Sequence, residues 1–196
     1  MKKYKNIIII CVLAALAIWY YFYLSNRTAM DSANKNVTTT EIEDTLAKNI
    51  DNVTNTPRAA IKFYSIILQC LYNEDPTEEE ITALGEKARE IMDEELINNN
   101  PEETYFDALS TEVKEYLQDN RKMIGYVVES SDKVEYYTEN GKEYAIVNAS
   151  YTLRKTNDFT KTNEAYILRK DEEGYWKILG WRIAADEVTD DQNNDE

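Results

Sequence analysis

Tyrosines and glutamates crowd the C-terminal half of this 196-residue chain. Tyr126, Tyr136, Tyr137, Tyr144, Tyr151, Tyr166 and Tyr175 lie on or beside β-rich stretches that also carry Glu129, Glu135 and Glu164. A carboxylate set among phenols in an apolar pocket is the material of a general acid–base site: burial raises the carboxylate pKa, and a phenol donates to a developing oxyanion. Other chemistries are removed at once. The chain has no histidine, so imidazole bases, His-based triads and most zinc sites are excluded. Its five glycines all stand apart, leaving no phosphate-cradling loop. The acidic turn Asp171-Glu172-Glu173 lacks the ligand spacing of a calcium loop, and neither metal nor cofactor is expected. Tyrosine is also an ordinary strand residue, and charges alternating with apolar side chains describe a solvated sheet face. No motif singles out an acid–base pair, so the chain reads as a non-enzyme. Tyr126, Tyr144, Tyr151, Tyr166, Trp176 and Trp181 are its candidate pocket or interface residues. The two tryptophans lie five apart on one predicted strand, where alternation sends them to opposite faces. One then joins the core and the other lines a pocket mouth or a partner surface, unless both pack against the helices and the sheet end.

The charge is 22 basic against 37 acidic side chains, net −15, which argues against binding a nucleic-acid backbone. It is unevenly spread: residues 1–24 carry three lysines and no acid. From Asn6 to Leu24 the chain is uncharged, and nineteen helical residues span about 28 Å, close to the hydrocarbon thickness of a bilayer. Trp19, Tyr20, Tyr21 and Tyr23 gather at one end and Lys2, Lys3 and Lys5 flank the other. The aromatic belt and the positive-inside rule then predict a single-pass signal-anchor at 6–24, a cytoplasmic stub at 1–5 and an extracytoplasmic remainder. Bulky aromatics where a cleavage site needs small residues oppose a removable signal peptide. Cys11 falls in the membrane segment and Cys70 in an apolar helical pattern, so a buried thiol is expected rather than a disulfide.

The elements that position the tyrosines follow from periodicity. Residues 25–55 are rich in Ser, Thr, Asn and Asp and read as a stalk, with a short helix predicted at 41–52. Thr56-Pro57 opens a helix with apolar residues Ala60, Ile61, Tyr64, Ile67, Leu68 and Leu71. Thr77 with Glu80 forms a capping box for a second helix using Ile81, Leu84, Ala88, Ile91, Met92 and Leu96. Pro101 opens a third helix, with Ser110 predicted to cap a continuation through Leu117. After Lys122 the period changes to two, giving strands at 123–130, 133–138, 143–154, 162–170 and 175–184. Asn140-Gly141 and Asp171–Gly174 supply turns. Helices followed by a meandering antiparallel sheet of about five strands make an α+β domain over 56–185. Residues 186–196, with six acids and no base, are expected to be a disordered acidic tail.

Arg58-Ala59-Ala60-Ile61-Lys62-Phe63-Tyr64, the acidic second helix, the long central strand and the closing Gly174-Tyr175-Trp176-Lys177-Ile178 together resemble the nuclear-transport-factor-two-like superfamily. More narrowly the order is similar to membrane-anchored clostridial proteins carrying such a domain. The resemblance covers roughly residues 55–185. It implies a cone-shaped, cystatin-like fold, with helices on a strongly curved sheet and a pocket at the wide end. Members include isomerases, ligand binders and assembly factors of secretion and conjugation machines, and fold alone does not choose among them. The expected function is a binding or assembly module in a Gram-positive cell envelope, meeting another envelope protein or a second copy through its sheet. The alternatives are an isomerase-like or ligand-binding pocket, and a scaffold subunit of a conjugation or secretion complex.

Overall fold

The computed structural model describes residues 39–73 and 75–184. The predicted membrane segment 6–24, the stub before it, the first part of the stalk and the acidic tail 186–196 lie outside the described residues. The described chain is α+β, as its periodicity predicts. The helices are α1 (Thr39–Leu46), α2 (Ile50–Val53), α3 (Pro57–Asn73), α4 (Glu78–Arg89), α5 (Glu94–Asn99) and α6 (Glu102–Gln118). The strands are β1 (Arg121–Val128), β2 (Glu135–Glu139), β3 (Lys142–Lys155), β4 (Asp158–Lys170) and β5 (Trp176–Ile183), all antiparallel to their neighbours. Among the described residues, no helix is long and apolar enough to cross a membrane.

Local chemistry explains the helix starts. Pro57 occupies the first turn of α3, where its missing N–H costs nothing, and the Thr56 hydroxyl accepts from the Ala59 N–H at 3.1 Å. The Thr77 hydroxyl accepts from the Glu80 N–H at 3.2 Å while the Glu80 carboxylate accepts from the Thr77 N–H at 2.8 Å, closing the capping box of α4. Tertiary pairing decides where that helix stops. The expected run to Leu96 ends at Arg89, because Ile91 and Met92 leave the helix to meet β5: Ile178 N–H donates to Ile91 O, and Asp93 N–H to Ile178 O, both at 2.9 Å. Asp93 then caps α5 by accepting from the Glu95 N–H, a place aspartate favours over a helix interior. α6 runs unbroken through Ser110, whose hydroxyl donates to Glu78 instead of capping. α4 and α6 cross at Gly85, where a Cβ would stand 2.7 Å from the Phe106 ring and 2.8 Å from Leu109.

The domain begins earlier than the sequence suggests. The single stalk helix expected at 41–52 is two helices, α1 and α2, and both pack. Ile42 is buried in the core, Thr45 sits against the Cys70 thiol at 3.7 Å, and the Thr54 carbonyl accepts from the Trp176 N–H at 2.9 Å. Residues 39–54 therefore belong to the packed domain.

β3 is the centre of the sheet. Its C-terminal half pairs with β1 (Tyr126 opposite Tyr151), and its N-terminal half pairs with β2 along the same edge (Tyr136 opposite Ala145). β4 takes the whole of the other edge and β5 pairs with β4. The meander thus holds only from β2 onward. Asn140 (φ 50°) and Gly141 (φ 78°) make the expected two-residue turn. β4 starts at Asp158, not at 162, because Thr156-Asn157 turns the chain with Thr156 at φ 58°, where no glycine signals it.

One face of the sheet is covered. α3 lies on it, α6 packs beside β1, and α1 and α4 pack against α3. Met123, Tyr126, Val128, Ala145, Val147, Ala149, Tyr151, Tyr166, Leu168, Trp176 and Ile178 point into this layer. Two bulges set that list. The register slips between Met123 and Gly125, so Met123 and Tyr126 share a face although three residues apart. A second slip opposite Ile167 and Leu168 gives β5 an extra residue around Leu179-Gly180. Ile178 then faces Leu168 and Trp181 faces Tyr166. Paired residues share a face, so Trp176 and Trp181 lie on the same side, not on opposite ones as simple alternation requires.

Candidate functional site

The covered face brings the phenols and a carboxylate together. Glu164 and Tyr166 are two apart on β4, and Ala149 and Val147 of β3 are their register partners. Tyr166 OH donates to the Glu164 carboxylate at 2.5 Å, Tyr151 OH lies 2.9 Å from Tyr166 OH, and Ser65 Oγ lies 3.2 Å from Tyr151 OH. Ser65 in turn donates to the Ile61 carbonyl at 2.8 Å, anchoring the chain of hydroxyls to α3. Tyr64 packs edge-on against Tyr166 (5.8 Å between ring centroids), and Trp181 leans on both rings at 6.2 and 6.1 Å.

Burial dominates the electrostatics. Desolvation raises the Glu164 carboxyl pKa above its ordinary value, against the opposing hydrogen bond from Tyr166. Desolvation likewise pushes Tyr151 up to about 12 and holds Tyr64 and Tyr166 well above the usual phenol range. Glu164 is consequently the one acid of this cluster whose ionised form the fold disfavours. A raised carboxyl pKa contributes stability that is complete below the unfolded value, 4.5, and is lost as pH rises through the folded value. Glu164→Gln should abolish that part of the pH dependence. Urea midpoints of variant and wild type should converge near pH 4.5 and separate in the variant's favour above it; parallel curves would refute the assignment.

Of the candidates read from the sequence, Tyr126, Tyr151, Tyr166 and Trp176 are buried in the covered layer. Tyr166 is completely buried on the covered face (0 % exposed). Tyr144 is on the open face, half-buried and stacked on Tyr137 at 5.1 Å. Trp181 stands at the margin, 46 % exposed. The cluster therefore unites Tyr151 and Tyr166 with Trp181 at its rim, and leaves Tyr126 and Trp176 in the core and Tyr144 outside.

A second surface went unnoticed in the sequence. The helices cover only part of the sheet, and apolar side chains stand bare in two places: Val127 (68 % exposed) and Phe159 (62 %) on the open face, and Ile183 (79 %) near Trp181 at the margin of the covered one. β5 is an edge strand whose first half is occupied, Trp176 by Thr54 and Ile178 by Ile91 and Asp93. Further along, the Ala184 N–H donates inward to Asn163 O, so strand alternation turns the N–H groups of Trp181 and Ile183 away from β4. Alternating hydrophobicity could locate the strands, but only register shows which of their residues outrun the helices.

The class these features define is an α+β domain with a sheet covered on one face and bare on the other. A family model described as a domain of unknown function (DUF6715) matches residues 1–181, and the chain belongs to that family. No curated protein matches it. Among solved structures it is similar to a de novo designed β-sheet protein determined by solution NMR, at 19% sequence identity and TM-score 0.30, covering 74% of this chain and 98% of that one.

Proposed function

We propose that the protein is a membrane-anchored, extracytoplasmic binding and assembly module, without catalytic activity, that meets an envelope partner through the uncovered part of its sheet. The observation that carries the reading is the bare apolar side chains of the sheet: Phe159 stands exposed on the open face, and Trp181 and Ile183 stand exposed at the margin of the covered face, on an edge strand with outward N–H groups. Monomeric surfaces rarely gather such groups without a use. The uncharged segment 6–24 with lysines before it and aromatics at its far end supports the anchor and its orientation. The cone-like, nuclear-transport-factor-two-like reading draws support from curvature: Tyr136 of β2 reaches Trp176 of β5, 5.8 Å between rings, across two intervening strands. A scaffold role in a secretion or conjugation complex is one form this reading takes.

The full chain extracted from membranes in mild detergent should migrate in native gels as an assembly larger than one chain. Phe159→Asp with Trp181→Asp should collapse it by at least one subunit, while circular dichroism stays unchanged. An assembly of unaltered size in that variant counts against the proposal. The Glu164–Tyr166 pair favours a second reading, a ligand pocket using carboxyl and phenol. The completely buried Tyr166 and the rings of Tyr64 and Trp181 packed on it leave that reading the weaker of the two.

A further inference from the structure

The open face of the sheet is charged opposite to the rest of the protein. The helical residues 39–119 hold 20 acidic and 6 basic side chains. At the hairpin end of the open face the order reverses. Register places Lys122 of β1 directly opposite Arg154 of β3, and Arg154 opposite Phe159 of β4. Lys161 follows two residues along β4, a diagonal of about 7–8 Å from Arg154. Arg182 of β5 is paired with Ala165 on the same face. Between these cations the floor is small and neutral: Gly125, Thr152, Ser150 and Asn163, with Ser150 donating to Asn163 at 2.6 Å. Val127 and Phe159 stand beside it.

Neighbouring bases are neutralised and these are not. Arg121 and Lys155 share Asp119, and Arg169 is held by Asp93 and Glu95. Among the described residues Lys122 reaches only the Asn73 carbonyl. Among the described residues Arg154, Lys161 and Arg182 form no ion pair, and all three are exposed. Like charges set directly across a ladder destabilise it, so the fold gains nothing from Lys122 opposite Arg154. In a chain of net charge −15, three unpaired cations beside two bare apolar side chains fit an incoming group that is acidic and partly apolar.

We propose that this end of the open face, centred on Arg154, Lys161 and Arg182, docks an acidic polypeptide segment of a partner protein, with Val127 and Phe159 receiving its apolar side chain. The inference rests on the binding-module reading and names the partner's chemistry. A polypeptide fits better than a nucleic acid because the surrounding negative field repels a long polyanion, while a short segment touches only the basic end.

The test uses the full chain in detergent and a fluorescent twelve-residue peptide of Asp and Glu with one Phe, read by anisotropy. Saturable binding is expected, weakening with ionic strength. It should weaken at least about tenfold in the Arg154→Glu, Lys161→Glu, Arg182→Glu variant, whose exposed positions leave the melting temperature near wild type. Phe159→Ala should weaken it severalfold. Equal binding of the Asn/Gln analogue, equal binding by the reversed variant, or binding to phosphatidylglycerol vesicles but not to peptide would each overturn the proposal. So would peptide binding that appears only after residues 186–196 are removed, since those residues would then be the occupant. If assemblies form in native gels but the peptide does not bind, this inference fails and the module reading stands.

Discussion

Replacing Asp93 by alanine is expected to cost about 3–5 kcal/mol of stability, because it strands a shielded charge and removes a helix cap in one change. Asp93 accepts from the Arg169 guanidinium through both carboxylate oxygens and from the Glu95 N–H that starts α5. The Arg169 side chain is only 16% exposed, and the hydrogen bonds to Asp93 hold its pKa above the ordinary guanidinium value. Glu95 cannot replace Asp93, since it meets Arg169 at 3.2 Å from an exposed position. Arg169→Met with Asp93→Asn should recover much of the loss, because no buried charge then lacks its partner. Urea unfolding of the two variants beside wild type checks this. A single variant Asp93→Ala within about 1 kcal/mol of wild type would mean the pair is solvated.

The second large effect is alkaline unfolding. Burial raises Tyr64, Tyr72 and Tyr166 well above 10.0, and holds Tyr151 and Tyr105 at about 12. A raised phenol pKa gives stability that is full below the unfolded value and lost as pH climbs toward the folded one. Each withheld ionisation costs about 1.4 kcal/mol per pH unit. Five such tyrosines remove about 7 kcal/mol per unit, against a total stability of about 5–15 kcal/mol for a domain. The domain should therefore unfold cooperatively between about pH 11 and 12. Tyrosinate absorbance should rise in two steps, the second coming from the buried set together with the loss of circular dichroism. A single smooth titration with the fold retained would show that these rings are hydrated.

What could be read from the chain was what depends on near neighbours. Pro57, the Thr77–Glu80 capping box and the Asn140-Gly141 turn need no partner from elsewhere, and each stands where its chemistry puts it. The misreadings all trace to partners far off in sequence. α4 stops at Arg89 because β5, some 90 residues on, captures Ile91 and Asp93. Trp181 turns inward because of a bulge visible only in the β4–β5 register. Residues 39–54 read as stalk by composition, yet Ile42 and Thr54 find burial on α3 and β5. Tyr151, Tyr166 and Glu164 could be named singly from the sequence. That they form one hydrogen-bonded row, anchored to Ser65, follows from pairing Ala149 with Glu164 and from where α3 crosses the sheet.

The most direct measurement is site-specific photocrosslinking in intact cells, with a photoreactive amino acid placed in turn at Phe159, Trp181 and Ile183. Matched positions on the helical layer, Thr82 and Lys114, serve as controls. Discrete covalent adducts from the three sheet positions and none from the helical pair are the predicted result. Adducts arising equally from Thr82 and Lys114, or none from the sheet, would contradict a module that works through the parts of the sheet its helices leave bare.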